Sequence, residues 1–177
     1  VKPGTSIGLV VARGEVRVRV PDLAGRTPGI WRWREVLPVG PDEEPLTLGE
    51  GGTPLLRSRS IGPALGMPGL SFKDESCNPT LSFKARGLAV PIHRARALGA
   101  GHVAIPSAGN AGSATAAYCA AAGLPCTVAM PFDTPAPILE ECRAHGARVE
   151  LVDGTIADAG AWVRERAARE GWFDVST

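Results

Sequence analysis

One lysine, Lys84, stands in the segment NPTLSFKARG, residues 78–87, directly after Phe83 and at the expected start of a helix. A single lysine is most often a solvated surface charge, but here Pro79 and Thr80 shape a turn before it and an aromatic ring adjoins it. Partial removal of an amine from water favours its neutral, nucleophilic form, and such an amine forms a Schiff base with a carbonyl group. The segment therefore indicates carbonyl chemistry at Lys84.

A second candidate is the segment PSAGNAG, residues 106–112, between an apolar run and an alanine-rich one. Glycine, serine and asparagine at the mouth of a helix leave backbone N–H groups free, and the helix dipole adds positive potential, so the loop suits a carboxylate or a phosphate. Generic loops between strands and helices also use these residues, so a structural role stays open. Neither a dinucleotide fingerprint nor a nucleotide P-loop can be read there.

Regular elements that could position these segments lie in the second half of the chain. Strands are predicted at 102–106, 126–131, 148–153 and 172–176, and helices at 111–123, 135–146 and 155–171. Thr155 with Asp158 is expected to cap the last helix. Strand and helix alternate, which predicts a parallel sheet covered by helices. Ligands of such sheets bind beyond the carboxyl ends of the strands, so the loops after Pro106, Pro131 and Asp153 are expected on the functional side.

The first half of the chain has a weaker pattern. Strands are predicted for EVRVRV, residues 15–20, and for LSFKDE, residues 70–75, whereas PVGPDEEP, residues 38–45, predicts a loop. The helix that follows the lysine contains Pro91. Because a proline inside a helix removes a donor and costs about 3 kcal/mol, a kink or break is expected near residues 88–90.

The composition is that of a globular protein with a small-molecule partner. Of the 177 residues 44% are hydrophobic and 21% charged, and the net charge of +1 without a basic block creates no field that would attract nucleic acid. No apolar run approaches the ~20 residues of a membrane span, and no secretory signal is evident, so a cytoplasmic location is expected. Apart from the loose pair Cys142 and His145 nothing suggests a metal, and all four cysteines are expected to be buried thiols.

The two chemical segments resemble motifs of the fold-type II pyridoxal-phosphate enzymes. NPTLSFKARG is similar to the lysine motif Asn-Pro-Thr-Gly-Ser-Phe-Lys-Asp/Ala-Arg-Gly of that family, and SAGNAG is similar to its asparagine loop. Four further segments resemble the threonine synthase family in order and spacing, namely GIWRWREVLPV, LGEGGTPLL, ECRAHGARVELVDGTIADAG and GWFDVST. The resemblance covers about residues 29–177.

The resemblance implies roles for particular residues. Lys84 would hold pyridoxal phosphate as a Schiff base and act in turn as base and acid. Asn110 would hydrogen-bond the phenolic oxygen of the cofactor, and Phe83 would help to position its ring. The residues that would bind the α-carboxylate of an amino-acid substrate are Ser107, Gly109, Asn110 and Ala111. Thr53, in GEGGTPL, lies near the substrate in relatives, although a structural role as a turn-capping hydroxyl stays open.

The reaction implied is the conversion of O-phosphohomoserine and water to threonine and phosphate, with the cofactor as electron sink. Leu81 stands where the motif usually has glycine, and Ala85 where aspartate is common, which moves the motif toward the form of threonine and serine dehydratases. Dehydratase or β-replacement chemistry is therefore an alternative, and a non-catalytic module built on half of the fold is a third. The nearby cations Arg86 and Lys73 are expected in structural ion pairs.

We therefore expect an α/β fold of the tryptophan synthase β type, with an incomplete large domain over residues 1–98 and a small domain over residues 99–177 that holds a parallel four-stranded sheet. Family members are much longer than this chain, and their glycine-rich loop for the cofactor phosphate comes later. The chain is accordingly expected to be an N-terminal fragment that alone is inactive and binds cofactor weakly or not at all. The complete enzyme is expected to be a homodimer.

Overall fold

The computed structural model of the chain describes residues 23–176, so the strand predicted at residues 15–20 lies outside the described part. The strands are β1 Leu55–Arg57, β2 Ser71–Lys73, β3 Val103–Pro106, β4 Cys126–Pro131, β5 Arg148–Val152 and β6 Phe173–Asp174. The α-helices are α1 Ile61–Ala64, α2 Lys84–Ala97, α3 Asn110–Ala122, α4 Ala136–Ala144 and α5 Ile156–Glu170. Short 3-10 turns cover Ile30–Val36, Glu75–Cys77 and Pro79–Leu81.

The main sheet has four strands in the order β5-β4-β3-β6, and every pairing in it is parallel. Each pair of consecutive strands is joined by a helix, which is how a chain returns to start a parallel neighbour. The interior strand β4 is buried along its whole length. The parallel four-stranded sheet predicted from the alternating pattern is confirmed.

Local sequence signals determine the helix ends in this part of the chain. Helix α3 stops at Gly123, whose φ of 67° is the left-handed conformation that glycine adopts without a Cβ clash. Helix α5 begins with the predicted cap: Thr155 and Asp158 each bond the other's backbone, and the Thr155 N–H donates to Asp158 Oδ2 at 2.7 Å. Both boundaries therefore follow from residue type alone.

The main hydrophobic core lies between the sheet and the helices α2, α3 and α4. Its large buried side chains include Leu88, Ile92, Val103, Tyr118 and Met130. Burying an aliphatic side chain of this size contributes about 1.5–3 kcal/mol to the free energy of unfolding. The core is continuous from helix α2 into the sheet, and the division of the chain into parts of two domains at residue 98 stays a prediction.

A second, smaller cluster covers the opposite face of the sheet. Helix α5 places Ala159 and Val163 against Ala104 of β3 and Ala129 of β4. Small residues on both sides let the helix approach the sheet closely. The sheet is thus covered by helices on both faces, as the α/β class requires.

Of the kink or break predicted near residues 88–90, the break is wrong, and the kink stays a prediction. The helix runs from Lys84 to Ala97 as one element with Pro91 inside it. Pro91 cannot donate to the carbonyl four residues earlier, but the apolar face around it is buried, with Ala89 and Ile92 fully enclosed. Packing of this face against helix α3 therefore outweighs the lost hydrogen bond.

The first half of the described chain forms a small antiparallel hairpin. Strands β1 and β2 pair with Leu56 opposite Phe72, and both side chains are exposed. The strand predicted at residues 70–75 is confirmed in a shorter form, and residues 38–45 form a loop as predicted. No helix within residues 23–176 is long and apolar enough to cross a membrane.

Candidate active site

Lys84 is the first residue of helix α2, and its side chain is half-buried. Its Nζ lies 4.8 Å from the centre of the Phe83 ring, and that ring is 58% exposed. Among residues 23–176 the amine has no hydrogen bond or ion pair, whereas the amine of Lys73 donates to the carbonyl oxygen of Thr53. The amine of Lys84 thus donates to no acceptor among these residues, and it lies next to the exposed ring of Phe83.

The turn before Lys84 contains two residues in the left-handed region, Thr80 with φ 59° and Leu81 with φ 53°. Non-glycine residues held there cost about 1–3 kcal/mol each and persist where the surroundings determine the conformation. The side chain of Leu81 is 79% exposed, so burial does not compensate for its strain. A positive φ at position 81 explains physically why the related motif has glycine there.

The asparagine loop is held together by Ser107. This buried hydroxyl accepts from Gly112 N at 2.9 Å and from Gly109 N at 3.3 Å. A Cβ on Gly112 would come within 2.9 Å of Val128 Cγ1, so the loop can press against the sheet only with glycine at that position. Ser107 therefore shapes the loop, and its hydroxyl oxygen is already bonded inside it.

The other members of this loop face outward. Asn110 is exposed at the first position of helix α3, and Ala111 is half-buried beside it. Backbone N–H groups in the first turn of a helix have no partner within the helix. Nothing lies within 4 Å of the Cβ position of Gly109, so the N-terminus of α3 opens into free space. The geometry suits an anion, as the sequence pattern predicted.

Helix α3 connects the two candidate segments. It packs against helix α2 and against the turn Pro79–Leu81 that precedes Lys84. A cavity of about 330 Å³ lies at the carboxyl end of β3, lined by Pro106, Ala111 and Ser176 among others. Lys84 does not line this cavity. The lysine and the asparagine loop therefore lie on neighbouring elements, but they do not share the cavity.

Thr53 is buried, and its hydroxyl is committed to protein groups. Its Oγ1 donates to Glu75 Oε1 at 2.6 Å and accepts from Arg86 Nη2 at 3.1 Å. Arg86 forms an ion pair with Glu75, which confirms its predicted role. The ion pair predicted for Lys73 is wrong among residues 23–176, because its amine donates instead to the backbone carbonyl oxygen of Thr53. The contribution of Thr53 to substrate binding stays a prediction.

Glu75 is a residue that the sequence did not single out. Its carboxylate accepts from Arg86 Nε at 2.6 Å and Arg86 Nη2 at 2.9 Å, from Thr53 at 2.6 Å and from Asn78 Nδ2 at 2.8 Å. The bonds from Arg86, and then from Thr53, lower the pKa of Glu75 to about 2. The sequence does show an acidic residue, Glu75, shortly before a motif that contains Arg86. Only the fold shows that these two side chains form an ion pair.

A second buried carboxylate, Glu50, ties the preceding loop to helix α3. Its Oε2 accepts from Tyr118 Oη at 2.6 Å and from Thr47 Oγ1 and Leu48 N at 3.0 Å. Burial, together with the bond to Glu50, raises the pKa of Tyr118. The loop that leads to Thr53 is thus fixed to the helix that carries Asn110.

The cysteines differ in part from expectation. Cys119, Cys126 and Cys142 are buried free thiols as predicted. Cys77 is exposed, so the prediction for it is wrong, because the turn Glu75–Cys77 that carries it contains no buried residue. Within the described residues no three His, Cys, Asp or Glu side chains are arranged to hold a metal ion.

The groups present fit the reactive side of pyridoxal phosphate. An aldehyde requires an amine that is not ion-paired, which Lys84 provides. A planar ring requires an open aromatic or apolar neighbour, and Phe83 is exposed beside that amine. The amide of Asn110 is exposed at the start of helix α3, where it can bond a ring oxygen.

Comparison with known proteins agrees with this chemistry. A family model described as pyridoxal-phosphate dependent enzyme matches residues 46–177, and the chain belongs to this family. Among individual relatives, the threonine synthase of Methanosarcina acetivorans is 36% identical over 156 residues, which are 88% of this chain and 38% of that protein. The threonine synthase of Methanocaldococcus jannaschii is 40% identical over 146 residues, which are 82% of this chain and 36% of that protein.

The fold is also found among solved structures. The crystal structure of Escherichia coli diaminopropionate ammonia lyase in its apo form has a TM-score of 0.68 at 20% identity, over 73% of this chain and 41% of that chain. This similarity, with the family match, confirms the predicted fold-type II architecture. The chain spans less than two fifths of the length of the two threonine synthases, as expected for part of a longer enzyme.

Proposed function

We propose that the chain is part of a pyridoxal-phosphate lyase of threonine synthase type, which converts O-phosphohomoserine and water to threonine and phosphate. The observation that carries this proposal is the amine of Lys84 at the start of α2, which has no ion pair with any residue from 23 to 176 and lies beside an exposed aromatic ring. The threonine synthases to which the chain is similar support the choice of reaction. The substrate is accordingly a small amino acid that carries a phosphate.

The chain would supply binding, orientation and proton transfer. Pyridoxal phosphate, when bound, stabilises negative charge at the α- and β-carbons of an amino acid. Lys84 would hold the cofactor covalently and carry a proton on Nζ to and from the substrate. Phe83 would orient the ring, and Asn110 would donate to its phenolic oxygen. Among residues 23–176 no hydrogen bond or ion pair engages the side chains of Lys84 and Asn110, and the Phe83 side chain is exposed, which leaves them available.

The α-carboxylate of the substrate would be bound at the N-terminus of helix α3. The backbone N–H groups of Gly109, Asn110 and Ala111 and the positive end of the helix dipole favour an anion there. Ser107 would contribute by holding the loop in shape, since its hydroxyl already bonds Gly109 and Gly112.

Further expectations from the resemblance belong to the same proposal. Residues 1–98 would form part of a large domain and residues 99–177 a small domain. The complete enzyme would be a cytoplasmic homodimer without a nucleic-acid partner. The exposed apolar residues of the hairpin, such as Leu55 and Phe72, support further packing partners in the complete protein.

The reaction can be tested by product analysis of the complete enzyme, of which this chain is a part, supplied with pyridoxal phosphate. With O-phosphohomoserine we expect equal amounts of phosphate and threonine, and we expect both to disappear in Lys84→Arg, which keeps the charge but cannot form an imine. The control Glu170→Gln breaks an ion pair on helix α5 and should turn over normally.

Dehydratase activity is the competing proposal. It is supported by Ala85, since alanine at this position resembles the motif of threonine and serine dehydratases. Ala85 has no exposed surface, so an aspartate at this position would require a repacked neighbourhood. Ketoacid formation from serine or threonine, without phosphate release from O-phosphohomoserine, would replace our proposal by this one. Lack of both products and of cofactor binding would favour a non-catalytic module.

A further inference from the structure

We propose that Glu75 is a positioning residue for Lys84, because its carboxylate joins the segment before the strained turn to the first turn of the lysine helix. The inference rests on the proposed function, since it concerns the direction of the amine that would bind the cofactor. It assigns a role to a residue outside the lysine motif and outside the asparagine loop. Three observations support it.

The first observation is that one carboxylate connects three separate segments. Arg86 of helix α2 holds Glu75 with two N–H groups, at 2.6 Å and 2.9 Å. Asn78 donates to the same carboxylate at 2.8 Å, and its own Oδ1 accepts from Gly51 N at 3.0 Å. Thr53 donates at 2.6 Å from the loop that follows Gly51. Two N–H groups of one planar guanidinium determine orientation as well as distance, so this ion pair defines the rotation of helix α2.

The second observation concerns the side of the helix on which each charge lies. Successive helical residues are about 100° apart, so Arg86 and Lys84 are separated by about 200° around the axis of α2. When Arg86 is held toward Glu75, Lys84 points away from that carboxylate. The pairing thus keeps the Glu75 carboxylate away from the lysine amine, in agreement with the absence of any ion pair on Lys84 among the described residues.

The third observation is the strained turn between the two attachment points. Thr80 and Leu81, both at positive φ, lie between Asn78 and Lys84. Backbone strain persists only where neighbouring contacts over-determine the conformation. Glu75 provides those contacts on both sides, through Asn78 before the turn and through Arg86 after it.

The same network limits what Thr53 can do for a substrate. A hydroxyl has one donor and two acceptor sites. Its proton is directed to Glu75, and one acceptor site is occupied by Arg86, so one acceptor site is left. Thr53 could therefore receive a hydrogen bond from a substrate N–H or O–H, and it could not donate to a carboxylate or phosphate oxygen.

The test uses the reaction of pyridoxal phosphate with the lysines of the complete enzyme that contains this chain, followed by borohydride reduction and peptide mapping. The chain has three lysines, so the Lys84 adduct can be measured against Lys73 in the same sample. We expect Glu75→Gln to lower the initial rate of Lys84 labelling about tenfold, the equivalent of one hydrogen bond to a charged group. The control Glu170→Gln, whose side chain is 33% exposed against 28% for Glu75, should leave the rate unchanged.

A second readout needs no cofactor. Hydrogen exchange in the peptide that covers residues 78–86 should accelerate in Glu75→Gln and stay unchanged in helix α5, and Glu170→Gln should show the reverse pattern. Arg86→Lys keeps the charge but lacks the second N–H, so it should label Lys84 at an intermediate rate. If Glu75→Gln does not fold, Arg86→Lys serves as the test variant in its place.

The outcomes separate the inference from the proposed function. Lys84 labelling at the wild-type rate per folded molecule, in Glu75→Gln and in Arg86→Lys, would overturn the positioning role and leave the proposed function intact. Wild-type protein that is not labelled at Lys84 would overturn the proposed function itself, and the inference with it. Slower labelling with faster local exchange and an intact fold would support the inference.

Discussion

At the scale of single residues, the chemistry of this chain depends on which side chains are left without a protein partner. Within the part of the chain that the structure describes, the amine of Lys84 has no hydrogen bond or ion pair, whereas Lys73, Arg86 and Thr53 are bonded to protein groups. Sequence reasoning identified Lys84 because its motif is local. It could not identify Glu75, since the contacts of Glu75 join positions 53, 75, 78 and 86, which only the folded chain brings together.

Leu81 carries the first prediction at this scale. Leu81→Gly should raise the free energy of unfolding by about 0.5–1 kcal/mol, because relief of a left-handed conformation worth about 1–2 kcal/mol exceeds the entropy cost of glycine. Urea unfolding measures the change. Leu81→Ala removes the same exposed side chain but keeps Cβ, so it should give no such gain. Equal stabilities of the glycine and alanine variants would show that position 81 is not strained.

The buried pair of Tyr118 and Glu50 gives a second prediction. Tyr118→Phe should lower the free energy of unfolding by about 0.5–1.5 kcal/mol, because it removes a hydrogen bond between two fully buried side chains. Chemical denaturation of the two single variants and the double variant with Glu50→Ala, which removes the acceptor, measures the coupling. A cost of Tyr118→Phe that is the same in both backgrounds would mean that the bond contributes nothing.

At the scale of elements, periodicity predicted most of the second half of the chain. The strands at β3, β4 and β5 and the capped start of helix α5 follow from local composition, and the structure confirms them. Helix α2 was predicted less well, because its continuity through Pro91 depends on burial against α3. Local pattern thus suffices where an element is determined by its own residues and fails where tertiary packing decides.

The capping box of helix α5 permits a prediction at this scale. Thr155→Ala should lower the free energy of unfolding by about 1 kcal/mol, since it leaves a backbone N–H of the first turn without its side-chain partner. Thr155→Ser keeps the hydroxyl and should retain most of the stability. Thermal unfolding of both variants is the measurement, and an alanine variant as stable as the serine variant would contradict the role of the cap.

At the scale of the whole molecule, buried and paired ionisable groups predict a loss of stability in acid. Burial lowers the pKa of His93 below 6.5, although the hydrogen bond to Glu43 acts in the opposite direction. His93 therefore binds a proton less readily in the folded chain than in the unfolded chain. The pKa of Glu75 falls from 4.5 to about 2 because of Arg86 and Thr53. In both cases the stabilisation is complete above the unfolded pKa and is lost as the pH falls toward the folded one.

The free energy of unfolding should therefore decrease in two stages, first below pH 6.5 through His93 and then between pH 4.5 and about 2 through Glu75. Urea titrations across this range measure it. Glu75→Gln should be less stable at neutral pH and should show a smaller second stage, because other carboxyls with a lowered pKa, such as Asp74 and Asp158, contribute the remainder. A second stage of the same size in that variant would show that other carboxylates are responsible.

The central claim, that Lys84 forms the covalent link to pyridoxal phosphate, is tested most directly by an absorbance scan of the complete enzyme, which contains this chain, with added cofactor. We predict a visible band that borohydride bleaches, with the reduced adduct on the peptide that contains Lys84 and no band in Lys84→Arg. A bleachable band that persists in Lys84→Arg, or an adduct found on Lys73 instead, would contradict the assignment.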